Sequence, residues 1–592
     1  MCGIVGIVGN HDSRNYLLNG LKSLEYRGYD SAGIAILENN EIKNYRVVGR
    51  VNLLDSEIPS LINASLGIGH TRWATHGEPS VKNCHPHKSN DGFFTIVHNG
   101  VIENFQEVKN ELKENGYHFY SDTDTEVIAN VLEDEYKKTN DVLDAINNSL
   151  KRVHGSLAIA IIFKNDNDRL YFAKRKSPLL IGIGERTNYL ASDALPMIKT
   201  SSKFIDILDD QYGFMSEHEV KVYQNGVKQK AKYTTRNAEL LNIDLNGYPH
   251  YMLKEIEEIP SCISRLVDNY FNNGLYKFDE KMIEELKNVR CISFIACGTS
   301  YHASLIGKHY MESIGKMSNV YIASEWAYFP RFIDENEMFI LVSQSGETAD
   351  VITCLKKINE TNTHKTITIT NTKGSTLERD ATYSALLYAG VEIAVASTKA
   401  YNAQVALLYL LKSAIIGDIN APQKLLYTNQ LLNNIINRKD EIKEIANKVK
   451  DASNAFFLGR GLDYFVAMEG SLKLKEISYI HSEAFPGGEL KHGPIALIEE
   501  NTPVFGFISN KDIALAIRGN FSEVKARKAI VYSFVTKENA ISTDTFVIDD
   551  FDKDLSILGS VMISQYLSYY VALLRGNDID KPRNLAKSVT VE

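Results

Sequence analysis

A cysteine stands at position 2, ahead of Gly3 and the apolar run IVGIV. Trimming of the initiator Met would leave this residue carrying both a thiol and a free α-amine. A thiol attacks an acyl carbon only once its proton has been taken, and an α-amine with an ordinary pKa of about 8 can take it near neutral pH. The attack creates an oxyanion. The stretch FTIVHNGVIEN can meet it, because a strand ending at Asn99-Gly100 offers a side-chain amide and a backbone N–H. Two polar loops, GHTRWATHG (69–77) and SDTDTEV (121–127), bring Arg72 for an α-carboxylate and Asp124 for an α-ammonium. Together these groups describe a glutamine amide-hydrolysis site. HPH (85–87) has the look of a metal pair, but no third ligand cluster lies near it in sequence, and no metal is expected.

A second group of residues suits a sugar phosphate. Thr299 and Ser300, then Ser343, Gln344, Ser345 and Thr348, then Ser397 and Thr398 fall where strands are expected to pass into helices. One such loop is most simply a helix cap. Three at the strand ends of one sheet, with exposed helix N–H groups, predict an anion site. In LDYFVAMEGSLKLKEISYIH, Glu469, Lys473 and Glu476 share one stripe of a helix, with Ser471, Lys475 and Ser478 opposite as a polar face for water. The bland reading of that stripe is a surface ion pair. The sharper one is a row of ionisable groups that shifts protons between adjacent sugar carbons, with Glu476 as base. The following loop, HSEAFPGGELKHGP (481–494), carries His492, and its glycines predict mobility. Lys587, in LAKSVTVE, could form a Schiff base with a ketose.

These groups need two kinds of scaffold. Residues 1–235 alternate short β-type runs (GIVGIV, AGIAIL, LGIGHTR, SLAIAIIF) with fewer helical stretches, which predicts an α+β domain built on antiparallel sheets. A linker is placed at 236–250, around the turn signal NGYP. From about 285, strands alternate with long helices, including VEIAVA as a strand before STK. The rhythm restarts near 453, where NAFFLGRGLDYFVAMEG parallels ISFIACGTSYHASLIG. Two similar doubly wound parallel-sheet domains, 251–430 and 431–592, are expected, within a multi-domain α/β chain.

At 592 residues the chain exceeds what one core can organise. A net charge of −9 gives no electrostatic footprint for nucleic acid. Six scattered Cys without CxxC spacing fit free thiols in a reducing, cytoplasmic setting. No window approaches eighteen uninterrupted apolar residues, so no membrane span is expected.

MCGIVGI, YRGYDSAG, GHTRWATHG, CHPH, VHNG and TDTEV occur in order and resemble the class II glutamine amidotransferase domain, an N-terminal-nucleophile fold. CGTSYHA, SQSGETADV, VASTKAYNAQ, EGSLKLKEISYIH, GELKHGP and LAKSVTVE resemble the isomerising glutamine:fructose-6-phosphate aminotransferases, with their two sugar isomerase domains. The resemblance spans essentially the whole chain. It implies that Cys2 is nucleophile and base, that Asn99 and Gly100 form the oxyanion hole, and that Arg72, Trp73, Thr75, His76, His85 and Asp124 hold glutamine. It implies ammonia passing Trp73 through an internal channel to the ketose. Ser300, Ser343, Gln344, Ser345 and Thr348 would bind the phosphate, with Thr299, Val395, Ser397 and the Ala586 backbone around the sugar. Lys587 would form the Schiff base and Glu476 would move the proton, with Glu469 and Lys473 in support. His492 would open the ring from the neighbouring subunit of a homodimer. Glutamine and fructose 6-phosphate are the expected partners, without cofactor, nucleic acid or membrane. A different Cys2 amidotransferase would need a pyrophosphate or ATP motif, and none is found. A non-catalytic sugar-phosphate sensor would need neither Cys2 nor Lys587.

Overall fold

The computed structural model describes residues 2–9, 12–60, 62, 64–74, 76–235, 244–329, 333–361 and 363–589. Thr75 and positions 236–243 of the expected linker lie outside the described residues. The chain forms two compact units, one of the described residues up to 235 with 588 and 589, the other of residues 244–587.

The first unit contains an eight-stranded and a seven-stranded sheet, each antiparallel at every pairing. Strand β1 (Gly3–Val8) lies beside β2 (Leu66–Arg72) in the larger sheet. Strand β3 (Phe94–Ile102) lies beside β4 (Gly155–Phe163) in the smaller one. Alternation explains why β1 is apolar throughout. Ile4 and Val8 pack against Val97, Ala158 and Ala160 of the facing sheet, while Val5 and Ile7 pack under helix Ser13–Leu24. The outer face of β3 (Phe94, Ile96, Ile102) meets Val127, Ile128 and Val131 of helix α1 (Thr125–Thr139). Helices therefore cover both outer faces of a sheet sandwich. The strand does not end at Asn99-Gly100 as expected; it continues to Ile102.

The second unit holds two five-stranded sheets, parallel at every pairing. In the first, β5 (Cys291–Ala296) leads into α2 (Gly298–Glu312), and β6 (Glu337–Val342) leads into α3 (Ala349–Glu360). Helix α4 (Lys399–Ile416) follows. In the second, β7 (Asn454–Gly459) leads into α5 (Leu462–Ser478), with β8 (Pro503–Ile508) next to β7. Numbered by chain order within each sheet, the strands lie 2-1-3-4-5 in both. The repeat inferred from pattern is thus present in topology, and each sheet has its switch point between its first and third strands, where α/β ligands bind. Helix α6 (Ser556–Leu574) is long and apolar enough to cross a bilayer (mean hydropathy 1.4), but 89% of that stretch is buried within the unit.

One expected strand is absent. VEIAVA (391–396) has no ladder partner, and the first sheet takes Tyr383–Leu386 at that edge instead. Its backbone groups are satisfied by other means. The Glu255 carboxylate accepts from the N–H groups of Ile393 (2.5 Å) and Ala394 (3.3 Å), and Asp580 O accepts from Val395 N–H (3.0 Å). Hydropathy alone does not distinguish such a segment from a buried strand.

Candidate active sites

Cys2 lies at the mouth of β1, where the Trp73 N–H donates to its sulfur at 3.2 Å. Burial pushes the Cys2 thiol up. It is therefore held as a thiol, and its ionisation calls for a base beside it. Asn99 Nδ2 donates to Cys2 O at 3.0 Å. Gly100 has φ 138°, and a Cβ there would sit 2.0 Å from Ser156 O, so only glycine fits this point of β3. Asp124 accepts from Ile102 N–H at 2.9 Å, which ties the start of α1 to β3. Arg72, at the end of β2, donates to the carbonyls of His76 and Gly77 and so folds that loop around its guanidinium. The next residues are anchored from elsewhere, since Ala74 N–H donates to Asp30 Oδ2 at 2.8 Å. One pocket is lined by Cys2, Arg72, Trp73, His76, His85, Gly100 and Asp124, so the structure brings together every expected glutamine-site residue it describes except Asn99, which joins through its bond to Cys2.

Around the expected His85 lie three histidines to which the motifs gave no role, His70, His87 and His98. His70, His85, His87 and His98 are all buried, and burial lowers each of them, His70 and His87 to about 3. They are neutral at physiological pH.

In the second unit, the loop after β6 turns back on itself. Ser343 Oγ lies 2.8 Å from Thr348 Oγ1 and accepts from Gly346 N–H at 3.2 Å. Ser300, in the first turn of α2, accepts from Gln404 Nε2 of α4 at 2.9 Å, which leaves its hydroxyl proton free to point at a ligand. Both loops stand at the switch point between β5 and β6, where the anion site was expected. Ser397 and Thr398 precede α4 without following a strand.

The row on α5 faces α2. Lys473 Nζ lies 2.6 Å from Glu476 Oε2, 3.5 Å from Glu469 Oε1 and 3.0 Å from Thr299 Oγ1. Thr299 donates to Glu469 at 3.1 Å, and His302 Nδ1 lies 2.7 Å from its other oxygen. Glu469 and Lys473 are fully buried, which removes the surface-pair reading. Despite burial, the carboxylates of Glu476 and Glu469 hold Lys473 above its ordinary range. The polar face expected opposite is not one: Ser471 and Ser478 are buried, and Ser478 Oγ donates to Leu474 O in its own helix, so of the three only Lys475 reaches water. Serine hydroxyls satisfied locally count as polar in sequence and pack as apolar in the fold.

Lys587 is anchored at the irregular 391–396 segment. Its Nζ lies 2.5 Å from Glu392 Oε2 and donates to Ala394 O at 2.8 Å, with the lysine side chain 5% exposed. Glu392 also accepts from Ser397 Oγ and from the N–H groups of Thr398 and Ala400 at the start of α4. Burial alone would raise this carboxyl, but Lys587 and those donors hold it below the usual range. Glu255 is pushed up to about 8 by burial and by the charge of Glu392. Val395 is buried and Ala586 half-buried in the same neighbourhood. Glu392, Glu255, His302 and Gln404 were missed in sequence. The signal for Glu392 was its isolation as the one charge in VEIAVA.

His492 is not brought to these groups. It lies exposed at the end of the turn Glu489–His492. Of the preceding glycines, Gly487 serves a close approach: a Cβ there would sit 2.3 Å from Asn520 Oδ1, which Arg460 also holds.

The sequence matches the family descriptions "Glutamine amidotransferase domain" over residues 70–198 and "SIS domain" over 285–414 and 448–575. It is 45% identical over 602 residues, covering all of both chains, to glutamine–fructose-6-phosphate aminotransferase (isomerizing) of Geobacillus kaustophilus. It is 46% identical over 605 residues, again covering both chains, to the protein of that name from Listeria innocua. Among solved structures, the C-terminal domain of glucosamine-fructose-6-phosphate aminotransferase from Francisella tularensis is 35% identical, with TM-score 0.53, covering 57% of this chain and all of that one.

Proposed function

Because the chain belongs to the glutamine–fructose-6-phosphate aminotransferase (isomerizing) family, we propose that the enzyme converts glutamine and fructose 6-phosphate into glutamate and glucosamine 6-phosphate, with the residues above in the following roles. Cys2 sulfur bonds to the amide carbon of glutamine. The thiol proton passes by way of the α-amine to the leaving nitrogen, which departs as ammonia, and water then cleaves the thioester. Asn99 and Gly100 meet the oxyanion, while Arg72 and Asp124 hold the two ends of the amino acid, with Trp73, Thr75, His76 and His85 shaping the pocket.

Fructose 6-phosphate sits with its phosphate on Ser300, Ser343, Gln344, Ser345 and Thr348, and Thr299, Val395, Ser397 and Ala586 surround the sugar. The Lys587 amine attacks C2 of the open ketose and water leaves. Ammonia then replaces the lysine nitrogen, and Glu476 takes a proton from C1 and delivers it to C2. Lys473 and Glu469 steady the charge of Glu476. His492, exposed in this chain, acts on the ring of a sugar bound to the neighbouring subunit of a homodimer. A reducing, cytoplasmic setting suits a chain whose six cysteines are all free thiols. The division into 1–235, 251–430 and 431–592 remains our reading of the domains.

The observation that carries the reading is the buried Lys587, pinned to Glu392 beside the sugar loops, since a non-catalytic sugar binder needs no such amine. The test uses glutamine labelled at the amide nitrogen, fructose 6-phosphate and a background of unlabelled ammonium. Label in glucosamine 6-phosphate is expected, delivered by a route closed to solvent. Labelled ammonium without labelled amino sugar would leave the hydrolysis and remove the acceptor.

A further inference from the structure

The proton positions in the histidine cluster under Cys2 follow from groups whose roles are fixed. A carbonyl oxygen can only accept, so at 2.9 Å from His98 O the His70 Nε2 must carry its proton. The same N–H lies 3.1 Å from Asn99 Oδ1. An N–H cannot face an amide NH2, so the Asn99 oxygen is the end turned to His70, and its nitrogen is turned to Cys2 O, which can only accept. The surrounding bonds agree with this arrangement. His98 N–H donates to His85 Nδ1 (3.3 Å), which leaves the proton on His85 Nε2, facing Thr125 Oγ1 (3.3 Å). Ser156 O accepts from His98 Nε2 (3.4 Å), so His98 Nδ1 takes the Thr125 hydroxyl proton (3.0 Å). The ring of His85 stacks on that of His70 at 3.9 Å between centroids and fixes its plane.

We infer that His70 is a positioning residue of the glutamine half-reaction: its neutral, Nε2-protonated ring locks the Asn99 amide with the NH2 toward the nucleophile, so that the oxyanion meets a donor. With His70 absent, the amide could rotate and present its oxygen to the developing negative charge. The inference rests on the roles proposed for Cys2 and Asn99.

The test is steady-state glutamine hydrolysis by the full-length chain. His70→Ala is expected to lower kcat about 10- to 100-fold, below the loss for an oxyanion donor itself, with KM and the affinity for glutamate within about twofold. His70→Gln, whose amide N–H can reach the same place, is expected to recover most of kcat. In an Asn99→Ala background, His70→Ala should cost nothing further, because it acts only through Asn99. Parental kcat in His70→Ala would overturn the inference. So would a loss that appears equally in kcat, glutamate affinity and melting temperature, that Gln does not repair and that persists in the Asn99→Ala background, because that pattern belongs to a merely structural histidine. Parental hydrolysis in Cys2→Ala or Asn99→Ala would instead overturn the underlying reading of the site.

Discussion

The pairing of Lys587 with Glu392 sets a sharp requirement on one carboxylate. The Lys587 Nζ has a buried anion at 2.5 Å and a carbonyl at 2.8 Å, both from the one irregular segment. Glu392 is itself held as an anion by four donors, so it can orient the amine without competing for its proton. Glu392→Gln keeps the shape and removes the charge. It is expected to lower the rate of glucosamine 6-phosphate formation at least about tenfold while leaving glutamine hydrolysis near parental, because a buried charge partner is worth several kcal/mol. Borohydride trapping of fructose 6-phosphate on Lys587, read by mass spectrometry, should fall in parallel. Undiminished trapping would mean the carboxylate serves only to cap α4. Residues of this kind were half legible in sequence. Cys2, Arg72, Asp124 and the hydroxyl loops declare themselves by type and spacing, whereas Glu392 and His70 matter through contacts to residues 195 and 29 positions away, which no local pattern carries.

Two elements show how the same strand-to-helix corner takes opposite charge. Ser300 is four residues beyond β5 and Ser343 one beyond β6; in the second sheet the same offsets from β7 and β8 bring Asp463 and Ser509. Asp463 is fully buried, accepting from Ser509 N–H at 2.9 Å and Ser509 Oγ–H at 2.6 Å. The second sheet thus places its own carboxylate where the first has the hydroxyls proposed to hold an external anion. Burial raises Asp463 from 3.8 to about 6. Since the folded form binds this proton more tightly than the unfolded chain, the stabilisation is complete below about pH 4 and is lost as pH rises through 6, an amount of roughly 3 kcal/mol. Asp463→Asn cannot titrate. Its melting temperature relative to the parent should therefore climb between pH 4 and 6 and level off above 7; a difference independent of pH would contradict the burial argument. Strand-and-helix rhythm made both sheets legible. The failures came where backbone groups or serine hydroxyls are satisfied by side chains or within a helix, as at 391–396 and on α5, because hydropathy does not record hydrogen-bond partners.

For the molecule as a whole, the proposed role of His492 predicts that one chain does not suffice. His492 lies exposed, and the proposed reading has it complete the site of a second copy. If His492 serves the neighbouring subunit, inactive His492→Ala and inactive Lys587→Ala chains should complement when unfolded and reassembled together. Random pairing would restore about a quarter of parental activity, since half the dimers are mixed and one of their two sites is whole. No recovery would place His492 in the site of its own chain or outside the reaction. The segment 391–396 also carries a consequence for synthesis on the ribosome. Its first anchor, Glu255, is made 138 residues before Ile393, but the lysine that bonds Ala394 O arrives 193 residues after it. The carbonyl of Asp580 that accepts from Val395 comes almost as late. The emerging chain thus makes the groups proposed to release ammonia before the amine proposed to react, and an interruption of translation between them would yield a chain without that amine.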